Sequence, residues 1–180
     1  YKGKPKYEIY SIKKSSYFNK RVANNLFINE NYRDTIFKRI LNTDLLKVKK
    51  YKYSDVGYYF VNEMIRDITK MCQDEYVDKT YYSRLGLKNI GYNPRNKWSL
   101  DRIIPTEDDQ TFRKQLIHGD VHDQGAAMMG GVAGHAGLFS NSNDLGVMMQ
   151  LFLQNGIYGG DTLIDKKTVE LFTSSPYYQS

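Results

Sequence analysis

The strongest pattern in the chain is an apolar stripe in its first half. The repeating residues are Val61, Met64, Ile65, Ile68 and Cys72. Their spacing of three or four predicts an amphipathic helix over 57–72, because such residues share one helical face. Ser54 or Asp55 precedes this helix and is expected to cap its free N–H groups. Cys72 lies on the stripe and is therefore expected to be a buried structural thiol.

A second apolar stripe follows the glycine-rich stretch GGVAGHAGLFS. Its members are Leu145, Met148, Met149 and Phe152. They predict a helix capped by Ser140 or Asn141, with Asp144 in its first turn and Gly156 at its end. The sequence therefore places a glycine-rich loop directly before an amphipathic helix. The function of this arrangement has to be inferred from the other motifs.

Shorter elements are predicted on both sides of these helices. The stretch NENYRDTIFKRILNTDLL has helical spacing, and DEYVDKTYYSRLG predicts a short helix broken at Gly86. IYGGDTLI predicts two short strands joined by a tight turn, followed by a helix capped by Asp165. Residues 1–30 are polar and carry no clear pattern. Residues 96–124 are expected to be mostly loop, with short extended pieces such as RIIPT.

Composition narrows the function classes. The chain has 180 residues, 41% of them hydrophobic and 26% charged, which is ordinary for a globular domain. The net charge is +6, and Lys and Arg are dense between Lys2 and Lys52 without forming one block. No nucleic-acid-binding motif is present, so we expect no nucleic-acid partner. No apolar run is long enough to predict a membrane span. A single cysteine excludes an internal disulfide.

Tyr53-Ser54-Asp55 places two polar side chains at the start of the first helix. A tyrosine there could act as a general base if a nearby cation lowered its pKa toward neutrality. Tyr53 and Asp55 are therefore candidate catalytic residues. The alternative is structural, with Tyr53 packing against its neighbours and Asp55 only capping the helix.

The stretch VHDQGAAMMGGVAGHAGLFS is the second candidate site. Its glycines permit positive φ angles and a close approach of the backbone to a ligand. We expect Gly134 and His135 to bind substrate. The alternative is a structural turn in which His135 is hydrogen-bonded to the backbone.

Histidine and aspartate residues near this stretch raise the question of a metal. They are His118, His122, Asp123 and His135. Their spacing matches neither HExxH nor a Cys/His zinc motif, so the sequence predicts no metal and no other cofactor. His122 and Asp123 are expected to form hydrogen bonds within a loop.

Taken together, these motifs resemble the serine β-lactamase and penicillin-binding-protein superfamily, in its class C-like branch, over residues 50–175. YSDVGYYFVNEMI resembles the Tyr-x-Asn motif and its helix, and GGVAGHAGLFSNSNDL resembles the Gly-Gly-Leu-x-Ser-Thr-x-x-Asp-Leu helix entry. The wording GDVHDQGAAMMGGVAGHAGLFS also resembles domains fused to family 3 glycoside hydrolases in Bacteroidetes.

The resemblance implies an α/β (α+β) fold of the β-lactamase/transpeptidase type. Residues 1–180 would form a single partial domain from the middle of that fold, mostly its helical subdomain, with an incomplete sheet. The chain opens at Tyr1 without a methionine, which also leads us to expect a piece of a longer polypeptide.

The resemblance further implies hydrolysis of an ester, amide or β-lactam bond, with peptidoglycan-type substrates and a periplasmic or envelope location. Tyr53 would shuttle protons and Asp55 would stand where the family has Asn. The His-Thr-Gly or Lys-Thr-Gly motif is missing. Ser11-Ile12-Lys13-Lys14 matches S-x-x-K but lies in a polar tract, so we expect this chain alone to be inactive. The alternative is a non-catalytic glycan- or peptide-binding module of the same fold.

Overall fold

The computed structural model describes residue 6, residues 8–48 and residues 51–175. Helices and small β-sheets are mixed along the chain, in agreement with the α+β class expected from the sequence. Internal contacts separate two compact units. Unit 1 comprises Tyr1–Gln73 and Tyr92–Leu138, and unit 2 comprises Asp74–Gly91 and Phe139–Ser180. The expectation of one partial domain over 1–180 stays a prediction.

Unit 1 begins with a sheet that sequence patterning did not assign. Its strands are β1 (Tyr10–Ser11), β2 (Lys20–Ala23) and β3 (Leu26–Ile28), in the order β1-β3-β2. Ala23 pairs with Leu26, so only two residues form the turn, and the second of them, Asn25, has φ of 50°. Asn tolerates this left-handed conformation, which suits tight hairpins.

The same sheet supplies much of the hydrophobic core of unit 1. The buried core residues are Tyr10, Val22, Ala23, Leu26, Ile28, Ile117, Val121, Ala126, Ala127 and Ala133. Several of them belong to the segment after residue 115, so the two halves of unit 1 are joined by apolar packing. This packing fixes the position of the segment that leads into the glycine-rich loop.

A hairpin lies within the region expected to be mostly loop. β5 (Pro105–Asp109) pairs antiparallel with β6 (Gln115–His118). Asp109 is buried and its carboxylate contacts the buried Arg113 guanidinium at 2.7 Å. Burial raises the pKa of Asp109, but hydrogen bonds from Arg113 and from backbone amides outweigh it and hold that pKa well below its usual range. The hairpin therefore closes around a paired charge.

Two helices lie in the N-terminal part of unit 1. α1 spans Tyr32–Leu41 and α2 spans Val56–Thr69. The predicted helix over 57–72 is thus confirmed in place, but it ends early because Lys70 adopts a left-handed conformation with φ of 58°. This reversal takes Cys72 off the stripe, and the expectation of a buried thiol was wrong, since Cys72 is exposed.

Unit 2 contains most of the remaining helices. They are α3 (Gln73–Val77, whose first residue belongs to unit 1), α5 (Ser142–Leu153) and α6 (Lys166–Thr173), with a π-helical turn at Asp78–Tyr82 after α3. Unit 1 adds α4 (Gln124–Met128) and 3₁₀ turns at Pro94–Asn96 and Leu100–Arg102. Short strands complete the chain: β4 (Gly91–Tyr92) with β7 (Leu138–Phe139), and β8 (Ile157–Tyr158) with β9 (Asp161–Thr162).

The predicted boundaries of α5 are confirmed. The Asn141 side chain accepts a hydrogen bond from the Asp144 amide at 2.8 Å, which is the expected cap. Asp144 itself is buried and accepts hydrogen bonds from the amides of Lys88 and Asn89. Gly156, with φ of 86°, closes the helix by donating to Leu151 O at 2.8 Å. Asp165 caps α6 as predicted.

Candidate functional site

The carboxylate of Asp55, at the start of α2, does not cap the helix. Ser54 Oγ accepts a hydrogen bond from the Val56 amide at 3.2 Å. Asp55 occupies the N-cap position but makes no side-chain capping hydrogen bond. Of the two capping residues considered from the sequence, Ser54 therefore does the capping. The Asp55 carboxylate is left for other contacts.

The glycine-rich loop packs directly on the first turns of α2. A Cβ on Gly134 would lie 3.1 Å from the carbonyl carbon of Tyr58 and closer still to its oxygen. Because no side chain fits between these two backbones, glycine is required here for close packing. Gly134 therefore fixes the position of the next residue, His135, relative to α2.

His135 is the most enclosed member of the candidate site, with a side chain only 4% exposed. Its ring stacks on that of Tyr59, with centroids 4.8 Å apart and planes inclined by 25°. His135 Nε2 lies 3.0 Å from Asp123 Oδ1. Its other nitrogen, Nδ1, is buried and has no hydrogen-bond partner among the described residues.

Asp123 serves two purposes at once. Its Oδ1 accepts a hydrogen bond from the Ala126 amide at 2.6 Å and thereby caps α4. Burial raises the pKa of Asp123, but hydrogen bonds from the Ala126 amide and from His135 lower it below the ordinary value. Asp123 is consequently ionised at neutral pH.

Asp55, Asp123 and His135 come together at this point. One donor atom from each lies within 4.8 Å of the others. Tyr59 borders the group, and its hydroxyl sits directly against Gly125, where a side chain would not fit. Burial, followed by the charges of Asp123 and Asp55, raises the pKa of Tyr59, so this phenol stays neutral. We call Asp55, Tyr59, Asp123 and His135 the acidic cluster.

A buried amide network anchors the loop beneath the acidic cluster. Asn62 on α2 donates to Gln73 Oε1 at 2.8 Å. Gln73 Nε2 in turn donates to Tyr92 Oη at 2.7 Å and to Ala133 O at 3.3 Å. Through these bonds α2 and the glycine-rich loop are held in one arrangement. Sequence reasoning did not find this network, because each of its members is an ordinary polar residue far from the others along the chain.

The structure separates the sequence candidates into those that meet and those that do not. Asp55 and His135 meet, while Tyr53 precedes α2 and is 78% exposed. His118 lies apart from the cluster, with Nε2 at 2.6 Å from Ile103 O. His122 is exposed. The residues that sequence reasoning did not assign to the site are Asp123 and Tyr59, although Asp123 stands in the quoted VHD triplet.

Ser11, the serine of the S-x-x-K match, is part of a local turn. Its hydroxyl donates to Lys13 O at 2.8 Å and accepts from the Lys13 amide at 3.1 Å. Ser11 ends strand β1 instead of opening an apolar helix. This setting differs from that of the family's nucleophile, which opens a long apolar helix.

The chain is similar in sequence to known proteins. A Salmonella typhi protein named "Putative D-alanyl-D-alanine carboxypeptidase" is 41% identical over 171 residues, covering 87% of this chain and 39% of that protein. A Salmonella newport protein of the same name matches to the same extent. No protein-family model matches the chain.

The fold is similar to that of a solved protein described as a "putative beta-lactamase" from Bacteroides dorei. The TM-score is 0.51 with 15% sequence identity, over 93% of this chain and 37% of the other. The named relatives and the shared fold support the serine β-lactamase and penicillin-binding-protein superfamily, which the motifs of this chain resemble. It spans about two fifths of the length of the curated relatives that it matches.

Within the part of the chain that the structure describes, no helix is both long enough and apolar enough to cross a membrane.

Proposed function

We propose that this chain forms one wall of the active site of a serine hydrolase that cleaves peptides ending in D-alanyl-D-alanine. The observation that supports this proposal is the acidic cluster. The motifs similar to those of the superfamily lie on α2 and in the glycine-rich loop, and these two elements bring Asp55 and His135 together. The names of the 41%-identical relatives support the substrate class. A peptidoglycan-type substrate in turn favours a periplasmic or envelope location.

Each candidate residue has a distinct role in this proposal. Tyr53, exposed ahead of α2, shuttles protons to and from the reacting groups. Asp55 replaces the amide of the family's Asn by a carboxylate, which accepts hydrogen bonds but donates none. It therefore selects a donor, either an amide N–H of the substrate or a lysine ammonium.

Gly134 and His135 are the substrate-binding residues in this proposal. Gly134 contributes a backbone that packs closely on Tyr58, and His135 contributes the buried Nδ1 atom. A buried polar atom without a partner is costly, and a substrate group that paired with it would remove this penalty. This gives a physical reason for His135 to contact the substrate.

The nucleophile and the third motif belong outside these 180 residues in this proposal. Ser11 is engaged in its own turn. The isolated chain is accordingly expected to be inactive, and fusion of the whole protein to a family 3 glycoside hydrolase is part of the same proposal.

Labelling with a fluorophosphonate probe, read by intact mass, tests this assignment. We expect an adduct on the full product of the native gene and none on this chain. In the longer protein, Tyr53→Phe should slow the labelling by about 10²–10⁴-fold. Tyr58→Phe, on the exposed part of the same helix, is the matched control and should leave the rate unchanged. An adduct on this chain that disappeared in Ser11→Ala would overturn the assignment.

The second candidate is a non-catalytic glycan- or peptide-binding module, which the replacement of the family's Asn by Asp55 favours. It predicts that neither protein reacts with the probe. It also predicts that a peptide ending in D-alanyl-D-alanine binds and that Asp55→Asn changes its affinity. Isothermal titration calorimetry distinguishes this from the hydrolase.

A further inference from the structure

A buried arginine that the proposed function does not use lies next to the candidate site. Arg113 stands in the turn of hairpin β5–β6, and its side chain is fully buried. The guanidinium pairs with Asp109 through Nε and with Glu107 through Nη2. A buried ion pair of this kind can often be replaced by apolar residues without loss of stability. The stability of the hairpin is therefore a weak reason for placing a guanidinium here.

The remaining donors of Arg113 bind the chain just before Asp123. Nη1 donates to Val121 O at 2.6 Å, and Nη2 donates to His122 O. These two oxygens belong to consecutive peptide groups, and the second group includes the Asp123 nitrogen. Because a peptide group is planar, fixing its oxygen also fixes the direction in which the chain enters Asp123. The planar fork of arginine holds two carbonyls and a carboxylate together, which a lysine ammonium cannot do in the same geometry.

Asp123 is held on its other side by α4. Its carbonyl oxygen accepts a hydrogen bond from the Ala127 amide at 3.0 Å, and its Oδ1 accepts one from the Ala126 amide. Arg113 and α4 thus fix the backbone before and after Asp123, which gives its carboxylate one direction. That direction brings Oδ1 to 3.0 Å from His135 Nε2. Since the Asp123 carboxylate is ionised, Nε2 carries the proton and donates it.

Other residues of the hairpin bind the same segment. Thr106 Oγ1 donates to Asp120 O at 2.9 Å. Gln124 Nε2 donates to Thr111 Oγ1 at 3.0 Å. Contacts with the hairpin therefore lie on both sides of Asp123, and the hairpin as a whole serves to place this short segment.

We propose that Arg113 is a positioning residue that holds the Asp123 carboxylate against His135 Nε2. The inference rests on the proposed function, in which His135 contacts the substrate through Nδ1. With the proton on Nε2, the Nδ1 atom is a hydrogen-bond acceptor, so the substrate group that it contacts is an N–H or O–H donor. Sequence reasoning did not select Arg113, because its partners are main-chain oxygens eight and nine residues away.

The test is nuclear magnetic resonance of the chain labelled with ¹⁵N-histidine. The hydrogen bond from His135 Nε2 to a carboxylate gives a low-field imidazole proton, which is assigned by its absence in His135→Gln. Arg113→Lys keeps a cation beside Asp109 but loses the fork, so this proton should move to higher field. Asp123→Asn marks the position reached when the carboxylate is lost. The double variant Asp109→Asn, Arg113→Met removes the guanidinium without leaving a buried charge, and it gives the same measurement if Arg113→Lys does not fold.

Two controls separate positioning from general stability. His118 Nε2 lies 2.6 Å from Ile103 O, so its imidazole proton is an internal reference that should not move. Leu26→Ala removes packing from the core of unit 1 and changes no hydrogen bond of Arg113. Because a chemical shift is a property of the folded state, Leu26→Ala should leave the His135 proton in place although it lowers stability.

The reaction itself gives a second measurement. In the longer protein, Arg113→Lys should raise KM for a peptide ending in D-alanyl-D-alanine about tenfold, because a hydrogen bond to the substrate is weakened. Leu26→Ala should leave KM unchanged. If the longer protein did not react with the fluorophosphonate probe, the hydrolase assignment would fail, and the His135 proton would still decide the role of Arg113.

The outcomes that count against Arg113 are distinct from that failure. A His135 proton that stays in place both in Arg113→Lys and in the double variant would overturn the proposal. A shift of equal size in Leu26→Ala would also overturn it, because general loosening of the fold would then account for the effect. An active longer protein whose KM is unchanged by Arg113→Lys would contradict a role of this contact in substrate binding.

Discussion

The contact between Gly134 and α2 offers a direct test of how the candidate site is assembled. Gly134→Ala adds one methyl group that would lie 3.1 Å from the carbonyl carbon of Tyr58 and closer to its oxygen. The backbone of the loop or of α2 must then move by about 1 Å to restore ordinary van der Waals separation. The φ angle of Gly134 lies outside the left-handed region, so the effect is purely steric.

Overpacking of this kind costs about 1–3 kcal/mol. For a domain of this size each kcal/mol lowers Tm by about 2–4 °C, so we expect a fall of about 2–12 °C in thermal unfolding. The displacement should also increase the separation of Asp55 from His135.

Gly57→Ala is the matched control, because Gly57 lies in the first turn of α2 and no atom would contact its added Cβ within 4 Å. Alanine in a helix is favoured over glycine, so this variant should be more stable by about 0.5–1 kcal/mol. If Gly134→Ala melted at the same temperature as the original chain, the close packing of the loop on α2 would be refuted.

Two further predictions concern the hairpin. Arg113→Met leaves the Asp109 carboxylate buried without its partner, so it should lower the free energy of unfolding by about 3–5 kcal/mol in urea titrations. Arg84→Met, at an exposed ion pair, is the control and should change that free energy by at most about 0.5 kcal/mol. Because the pKa of Asp109 is lower in the folded chain, its stabilising contribution is complete above about pH 4 and is lost as the pH falls below that value. A urea midpoint that is unchanged between pH 7 and pH 3 would contradict this.

Local sequence determined the helices. The apolar stripes place α2 and α5 correctly, and Asn141, Gly156 and Asp165 define helix ends through bonds to neighbouring residues. Such signals can be recognised in the sequence because the capping residue and the apolar stripe lie within one or two helical turns of each other. The glycine-rich motif likewise marks a loop that packs closely on α2, because glycine allows two backbones to approach each other.

Tertiary structure decided the strands. The region of β5 and β6 was expected to be mostly loop with short extended pieces, and β5 exists because it pairs with β6 around the buried Asp109. Pairing across a hairpin leaves little trace in a one-dimensional pattern when the buried residues are charged. Cys72 shows the same limit, because one left-handed residue at Lys70 moved it from the expected buried face to the surface.

The candidate site combines both kinds of information. The sequence alone was enough to select Asp55 and His135, since each lies in a motif with recognisable chemistry. Only the fold could bring them together with Asp123, because the packing of Gly134 on α2 and the amide network through Gln73 are long-range contacts. Free energy from burial and hydrogen bonding between distant segments, not local preference, determines which of these side chains share a site.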